Sequence, residues 1–216
     1  MSDIQIQCMV LGAVQTNCYI IENTALHRAL VIDPADNAEA ITKVLKEAEM
    51  ELEAILLTHG HFDHGLAAPA LSSAMRAQVY ANEAEAPLLA DPHMTASFMV
   101  GREFAMEPDV LVRDGQELQL AGVRIQVIHT PGHTAGGTCY YLPEYGILFA
   151  GDTLFAGSVG RTDLPTGNGP RLIASIKEKL LVLPGETLVL PGHGGQTTIE
   201  NESKFNPYLD ESGFWE

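Results

Sequence analysis

The chain of 216 residues is poor in cysteine and in aromatic and basic side chains. Its three cysteines, Cys8, Cys18 and Cys139, are odd in number and far apart, which argues against a disulfide framework and against a cysteine-based zinc site. Each stands in an apolar or strand-like segment, so we expect all three to be small core residues. Together with the lack of a signal-peptide pattern in the first residues, this favours a cytoplasmic protein.

Positive charge is scarce, with 12 Lys and Arg residues against 28 Asp and Glu residues and a formal net charge of −16. Nucleic-acid phosphates and anionic membrane surfaces are bound mainly through Lys and Arg, so we expect neither as a partner. Long hydrophobic runs are missing too, and none approaches the roughly 18 residues of a membrane-spanning helix. Hydrophobic residues still make up 46% of the chain, which is enough for a sizeable core.

Hydrophobic periodicity predicts short strands interrupted by a few helices. The predicted strands are 4–10, 18–22, 29–32, 54–57, 78–81, 110–112, 116–120, 123–129, 138–142, 147–150 and 188–190. The predicted helices are 35–48, 65–73, 170–181 and 198–205. Two β-rich halves bordered by helices indicate a layered α/β protein. Since no linker or low-complexity segment divides the sequence, we expect residues 1–216 to form a single domain.

Segment 58–64, Thr-His-Gly-His-Phe-Asp-His, follows the apolar run 54–57 and places three imidazoles and a carboxylate within six residues. His59 and His61 are two positions apart, so in extended backbone their side chains point to the same side. Asp63 and His64 follow in a predicted turn, from which they reach a second, nearby point. The segment therefore predicts a metal site.

Three further residues of metal-ligand type each follow a short apolar strand in a glycine-containing turn. They are His133 in Thr-Pro-Gly-His-Thr, Asp152 in Ala-Gly-Asp-Thr and His193 in Leu-Pro-Gly-His-Gly. Imidazoles combined with carboxylates suit Zn²⁺, and also iron and manganese. Seven such residues at strand ends predict a site for two divalent metal ions, which at roughly 3.5–4 Å can share a water molecule and lower its pKa. The alternative is a set of purely structural loop histidines.

The order of these motifs, H-x-H-x-D-H, T-P-G-H-T, G-D-T and P-G-H-G, resembles the metallo-β-lactamase superfamily over residues 12–193. Within it, the chain is most similar to short-form glyoxalase II hydrolases without the helical C-terminal domain, since only 23 residues follow His193. The resemblance implies a four-layer αββα sandwich with the site at the strand ends, between the two sheets.

The resemblance also implies which residues act. One metal ion is bound by His59, His61 and His133, a second by Asp63, His64 and His193, and Asp152 bridges both. Asp63 and Asp152 are then also the catalytic carboxylates, and the nucleophile is a metal-bridging hydroxide that attacks a thioester carbonyl. The implied protein is a monomeric hydrolase with two divalent ions, Zn²⁺ first among them. Its partner is a small-molecule thioester of the S-lactoylglutathione type, which yields a hydroxy acid and a thiol.

Arg161 is the candidate substrate-binding residue. It stands near the position where full-length glyoxalase II enzymes carry a lysine for the glutathione moiety, and Arg is a good carboxylate clamp. Asp163 replaces the tyrosine found two residues later in those enzymes. A more open and less selective pocket is therefore expected, and the alternative role of Arg161 is to brace its own loop.

Two other functions stay open. Segment 160–163, Gly-Arg-Thr-Asp, also resembles persulfide dioxygenases of the same superfamily, which bind a single iron through residues matching His59, His133 and Asp152. A metal-binding module without catalytic activity is the more distant alternative.

Three residues outside the motifs have two interpretations each. Asp33 either accepts a hydrogen bond from an imidazole of the site or only forms a turn before Pro34. We expect His129 to be a packed strand-end residue rather than an eighth ligand. Phe155 lines the pocket or packs in the core.

Overall fold

The computed structural model describes residues 3–210, which form two six-stranded sheets flanked by helices. The first sheet follows the chain in strict order from one edge to the other. Its strands are β1 (Ile4–Leu11), β2 (Thr16–Asn23), β3 (Arg28–Ile32), β4 (Glu51–Leu56), β5 (Gln78–Asn82) and β6 (Val110–Val112). The first three strands are antiparallel, and β3 to β6 are parallel.

The second sheet has the order β14-β13-β10-β9-β8-β7. Its strands are β7 (Glu117–Leu120), β8 (Val123–His129), β9 (Thr138–Leu142), β10 (Ile147–Gly151), β13 (Leu188–Pro191) and β14 (Thr197–Thr198). A short hairpin of β11 (Leu154–Phe155) and β12 (Ser158–Val159) follows β10. Strand pairing makes β8, β10 and β13 run in one direction, so their carboxyl ends meet at one edge.

Helices cover the outer faces of both sheets. They are α1 (Ala38–Glu47), α2 (Phe62–Gly65), α3 (Ala68–Met75), α4 (Ala86–Leu89), α5 (Gly169–Ser175), which continues as a π-helical turn over Ile176–Leu180, and α6 (Ile199–Phe205). Short 3₁₀ turns span Glu83–Glu85 and Ser97–Val100. In the part of the chain from residue 3 to residue 210, no helix is long and apolar enough to cross a lipid bilayer.

Side-chain alternation along the central strands separates the core into layers. In β2, Cys18 and Ile20 pack toward α1 and α3, while Tyr19 and Ile21 pack toward the second sheet. A third cluster lies between the second sheet and α5 and α6, and it includes Leu172. Because both faces of these strands are covered, their middle residues are mostly apolar and buried. The result is the predicted αββα sandwich, which confirms the expected fold class.

Differences from the sequence prediction are local. The prediction that all three cysteines lie in the core is wrong for Cys8, which is exposed because β1 is an edge strand with one solvent-facing side. The first predicted helix begins at Ala38 rather than residue 35, since the Asn37 side chain accepts a hydrogen bond from Ala40 N and caps it. The helix predicted at 65–73 is α3, which runs from Ala68 to Met75, and the short helix α2 before it was not predicted.

Candidate metal centre

The loops that carry the candidate ligands all leave the carboxyl ends of parallel strands. Asp33 follows β3, His59 to His64 follow β4, His133 follows β8, and Asp152 and His193 follow β10 and β13. The two sheets are joined at this edge by backbone hydrogen bonds. Thr138 N donates to Thr58 O at 2.8 Å, and Asn17 N donates to Gly192 O at 2.7 Å. The fold therefore brings both halves of the sequence motif to one place.

Three buried imidazoles form a first group, made of His59, His61 and His133. His133 Nε2 lies 3.2 Å from His59 Nε2 and 3.0 Å from His61 Nδ1. Two nitrogen ligands about 2.1 Å from a tetrahedral zinc ion are separated by roughly 3.4 Å, so these nitrogens are spaced as if they share one cation. We name this set the first group.

The second group consists of Asp63, His64 and His193. Asp63 Oδ2 lies 3.2 Å from His193 Nε2 and 3.5 Å from His64 Nε2. Asp152 lies between the groups, with Oδ1 3.3 Å from His64 Nε2 and Oδ2 3.7 Å from His133 Nε2. The structure thus brings together all seven residues singled out in the sequence, and Asp152 also lies within ligand distance of His59 and His64.

Asp33 fixes the orientation of two of these imidazoles. Its Oδ2 accepts hydrogen bonds from His64 Nδ1 at 2.8 Å and from Thr58 Oγ1 at 2.6 Å. Because the Thr58 hydroxyl hydrogen points to Asp33, Thr58 Oγ1 is left to accept from His59 Nδ1, 3.1 Å away. Both rings therefore use Nδ1 for these hydrogen bonds and turn Nε2 toward the centre, as expected of a carboxylate that supports metal-binding histidines. Of the two sequence interpretations of Asp33, the geometry supports the first.

Arg161 contributes through its backbone. Its carbonyl oxygen accepts a hydrogen bond from His133 Nδ1 at 2.7 Å, which again leaves Nε2 to face the centre. Its guanidinium, about half exposed, forms two 2.7 Å hydrogen bonds with the Asp163 carboxylate. The cation predicted to bind substrate is therefore held by its own loop, close to the site.

The pKa shifts of the histidines distinguish the first group from the side of the site that holds the carboxylates. Burial, together with the neighbouring imidazoles, lowers the pKa of His59 well below 6.5 and that of His61 to about 3, so both are neutral ligand-type rings. Burial also opposes protonation of His64, but Asp152, Asp63 and Asp33 raise its pKa well above 6.5. The carboxylates around His64 therefore favour positive charge at this side of the site, and divalent cations provide it.

Three buried side-chain atoms of the site, His61 Nε2, His64 Nε2 and Asp152 Oδ1, have no hydrogen-bond partner among residues 3–210. His64 Nε2 and Asp152 Oδ1 face each other at 3.3 Å as an ion pair without hydrogen-bond geometry. Buried polar atoms are normally satisfied, and leaving one unpaired costs about 1–3 kcal/mol. A cation between His64 Nε2 and Asp152 Oδ1 removes both of their penalties, so the residues present fit a metal.

The centre opens into a cavity of about 400 Å³ whose wall includes Phe155, which supports the pocket interpretation of that residue. A larger but shallower depression of about 550 Å³ lies between α1 and α3, outside the metal groups. His129 lies outside them as well, and its Nε2 donates to Ala135 O at 2.8 Å. It is the strand-end residue that the sequence predicted.

Two residues near the centre were missed by the sequence analysis. Thr16 Oγ1 donates to Asp63 Oδ2 at 3.1 Å, and Glu85 is fully buried against both ligand loops of the first group. Thr16 belongs to a turn-rich segment and Glu85 to an acidic one, so neither carries a sequence signal that distinguishes it from a surface residue.

Comparisons with known proteins agree with this architecture. Hydroxyacylglutathione hydrolase GloC from Haemophilus influenzae is 35% identical over 208 residues, covering 95% of this chain and 98% of the relative. Probable metallo-hydrolase YqgX from Bacillus subtilis is 38% identical over 204 residues, covering 94% and 96%.

Solved structures extend the comparison to three dimensions. BLEG-1 B3 metallo-beta-lactamase is 39% identical with a TM-score of 0.90, covering 95% of this chain and 99% of its own. TTHA1623 in a di-iron-bound form is 38% identical with a TM-score of 0.83, covering 94% and 100%. ETHE1 from Myxococcus xanthus is 30% identical with a TM-score of 0.79, covering 95% and 84%. Residues 11–193 match the Metallo-beta-lactamase superfamily, and the chain belongs to that superfamily.

Proposed function

We propose that this protein is a monomeric hydrolase that uses two divalent metal ions, Zn²⁺ first among them, to cleave small-molecule thioesters of the hydroxyacylglutathione type. The observation that carries the proposal is the convergence of seven His and Asp side chains into two groups at the floor of one cavity. Similarity to GloC supports the substrate class.

The residues divide the work between holding ions and shaping the pocket. His59, His61 and His133 would hold one ion, Asp63, His64 and His193 would hold the other, and Asp152 lies between the two groups. When bound, such ions supply a water-derived nucleophile at neutral pH and polarise a carbonyl oxygen. Thr16 Oγ1 donates to Asp63 Oδ2 and thereby restricts the orientation of this carboxylate.

The cavity wall suits a substrate with an apolar part near the reacting carbonyl. Val14, Met99, Phe155 and Leu164 line it, and Arg161 is its one Lys or Arg side chain among the described residues. An acyl group therefore fits the apolar wall, while a carboxylate on the thiol portion reaches Arg161 at the rim.

Persulfide dioxygenation with a single iron is the second candidate. Similarity to ETHE1 favours it, because His59, His133 and Asp152 also suit iron. The di-iron-bound form of TTHA1623 supports iron as a metal but with two ions rather than one. The hydrolase is preferred since Asp63, His64 and His193 form a second complete group beside the first.

Metal analysis combined with two assays separates these candidates. We expect two zinc-type ions per chain and hydrolysis of S-lactoylglutathione, which stops when a chelator removes the metal and returns when Zn²⁺ is added back. One iron per chain with oxygen uptake on glutathione persulfide, and no thioester hydrolysis, would establish the dioxygenase instead.

Arg161→Ala is expected to raise the KM for S-lactoylglutathione at least about tenfold with little change in kcat, because one charge-assisted hydrogen-bonded contact contributes about 1.5–3 kcal/mol of binding. The His133 hydrogen bond survives since it uses the backbone oxygen.

Asp163→Asn is the matched variant. It weakens the ion pair on Arg161 and is expected to lower KM, measured by steady-state kinetics. An unchanged KM in Arg161→Ala would leave Arg161 only the role of bracing its loop.

A further inference from the structure

Glu85 is a fully buried carboxylate at the end of the 3₁₀ turn Glu83–Glu85. Its Oε1 accepts a hydrogen bond from Gly60 N at 2.8 Å. Its Oε2 accepts two more, from Gly136 N at 2.7 Å and from Thr134 Oγ1 at 3.0 Å. All three hydrogen bonds that this carboxylate accepts thus come from two loops of the metal centre.

The residues that Glu85 contacts are close in sequence to ligands of the first group, whereas Asp63 and His64 of the second group lie further along the chain after β4, in α2. Gly60 lies between His59 and His61, and Thr134 follows His133 directly. The carboxylate therefore joins the loop after β4 to the loop after β8. Gly136 permits the close approach, since a Cβ there would lie 2.3 Å from Glu85 N and 2.5 Å from Glu85 Oε2.

Asp33 has a comparable supporting role near the second group, where it accepts hydrogen bonds from Thr58 and His64. Glu85 differs from it because, among the described residues, it accepts hydrogen bonds only from two backbone N–H groups and a hydroxyl and from no imidazole. Burial raises the pKa of Glu85 to about 7 against the opposing effect of its three donors. The ionised form is the one that accepts all three bonds.

We propose that Glu85 is a positioning residue that sets the spacing of the two loops and thereby the affinity of the first group for its metal ion. This inference rests on the proposed function, since it requires the two metal groups to bind ions. A residue outside the metal-ligand motifs thereby controls the binding of one of the two ions.

Glu85→Gln tests the proposal because Gln has nearly the same shape but replaces one acceptor oxygen by an NH₂ donor. That donor faces either Gly60 N or Gly136 N, so one loop loses its acceptor. We expect the affinity for one of two zinc ions to fall about 10–100-fold and the other to be unchanged. The readout is Zn²⁺ titration of the metal-free full chain against a chromophoric chelator, with the melting temperature of the metal-free protein measured beside it.

Glu202→Gln is the matched control. Glu202 is also fully buried and accepts hydrogen bonds from Gly157 N at 2.9 Å and Thr197 Oγ1 at 2.6 Å, on loops outside the first group. We expect this variant to lower the melting temperature while leaving both zinc affinities unchanged. Thr134→Val removes a single donor to Glu85 and decides the matter if Glu85→Gln does not fold, with an expected several-fold loss for the same ion.

Selective loss of one zinc affinity in Glu85→Gln or Thr134→Val supports the positioning role. Lower stability with both affinities intact, as in the control, would overturn it and leave Glu85 an ordinary core residue. A wild-type protein that binds no zinc would overturn the proposed function together with this inference.

Discussion

In the His61→Ala variant we expect hydrolysis of S-lactoylglutathione to fall at least about 10³-fold and bound zinc to drop from two ions to one per chain. His61 Nδ1 lies 3.0 Å from His133 Nε2, so the substitution removes one of three nitrogens from the first group. Metal ions contribute several kcal/mol to transition-state stabilisation, and each 1.36 kcal/mol is tenfold in rate. Steady-state kinetics and elemental analysis of the same sample measure both effects.

His27→Asn is the control for this experiment. His27 is exposed in the turn between β2 and β3 at φ 53°, a backbone conformation that Asn tolerates. It should keep full activity and both ions. Full activity in His61→Ala would mean that the first group is not the site of the reaction.

Gly132→Ala is expected to lower the free energy of unfolding by about 3 kcal/mol, the largest effect on stability that we predict. Gly132 has φ +143°, and a Cβ there would lie 2.3 Å from both the backbone N and Cα of Leu172 in α5. Backbone cannot rotate away as a side chain tip can, so the loop that carries His133 must shift. Urea denaturation of the metal-free protein measures the loss, and zinc titration should show weakened binding by the first group.

Gly146→Ala isolates the conformational part of that effect. Gly146 has φ +61° and nothing within 4 Å of a Cβ built on it, so only the left-handed backbone conformation is penalised. A cost of about 1 kcal/mol is expected, with zinc binding unchanged. Equal losses in the two variants would mean that the contact with α5 has no energetic weight.

The elements that the sequence predicted well are those with a clear period and marked ends. Strands β8 and β9 occupy the predicted residues because their apolar side chains are bounded by glycine and proline turns. Helix α2 escaped prediction because its four residues, Phe62–Gly65, are too few to show a helical period. Yet α2 carries Asp63 and His64, so the second group depends on a helix that only the tertiary structure reveals.

The candidate ligands were predictable because each residue type is chemically distinctive and each follows a strand. The carboxylates that support them were not equally visible. Asp33 stood before a proline, where a turn explains it as well, and Glu85 is one of 28 acidic residues in an acidic chain. Cys8 is the converse case, an apolar residue that was expected in the core and is exposed, since the strand pattern alone does not distinguish an edge strand from a central one. Burial of a charged residue is decided by the packing of distant segments.

Anomalous X-ray diffraction from crystals of the zinc-loaded protein would locate the two metal ions that we propose between these seven side chains. We expect two zinc peaks per chain, one among His59 Nε2, His61 Nδ1 and His133 Nε2 and the other among Asp63, His64 and His193, with Asp152 between them. Peaks on other side chains, or no peak at either group, would contradict this proposal.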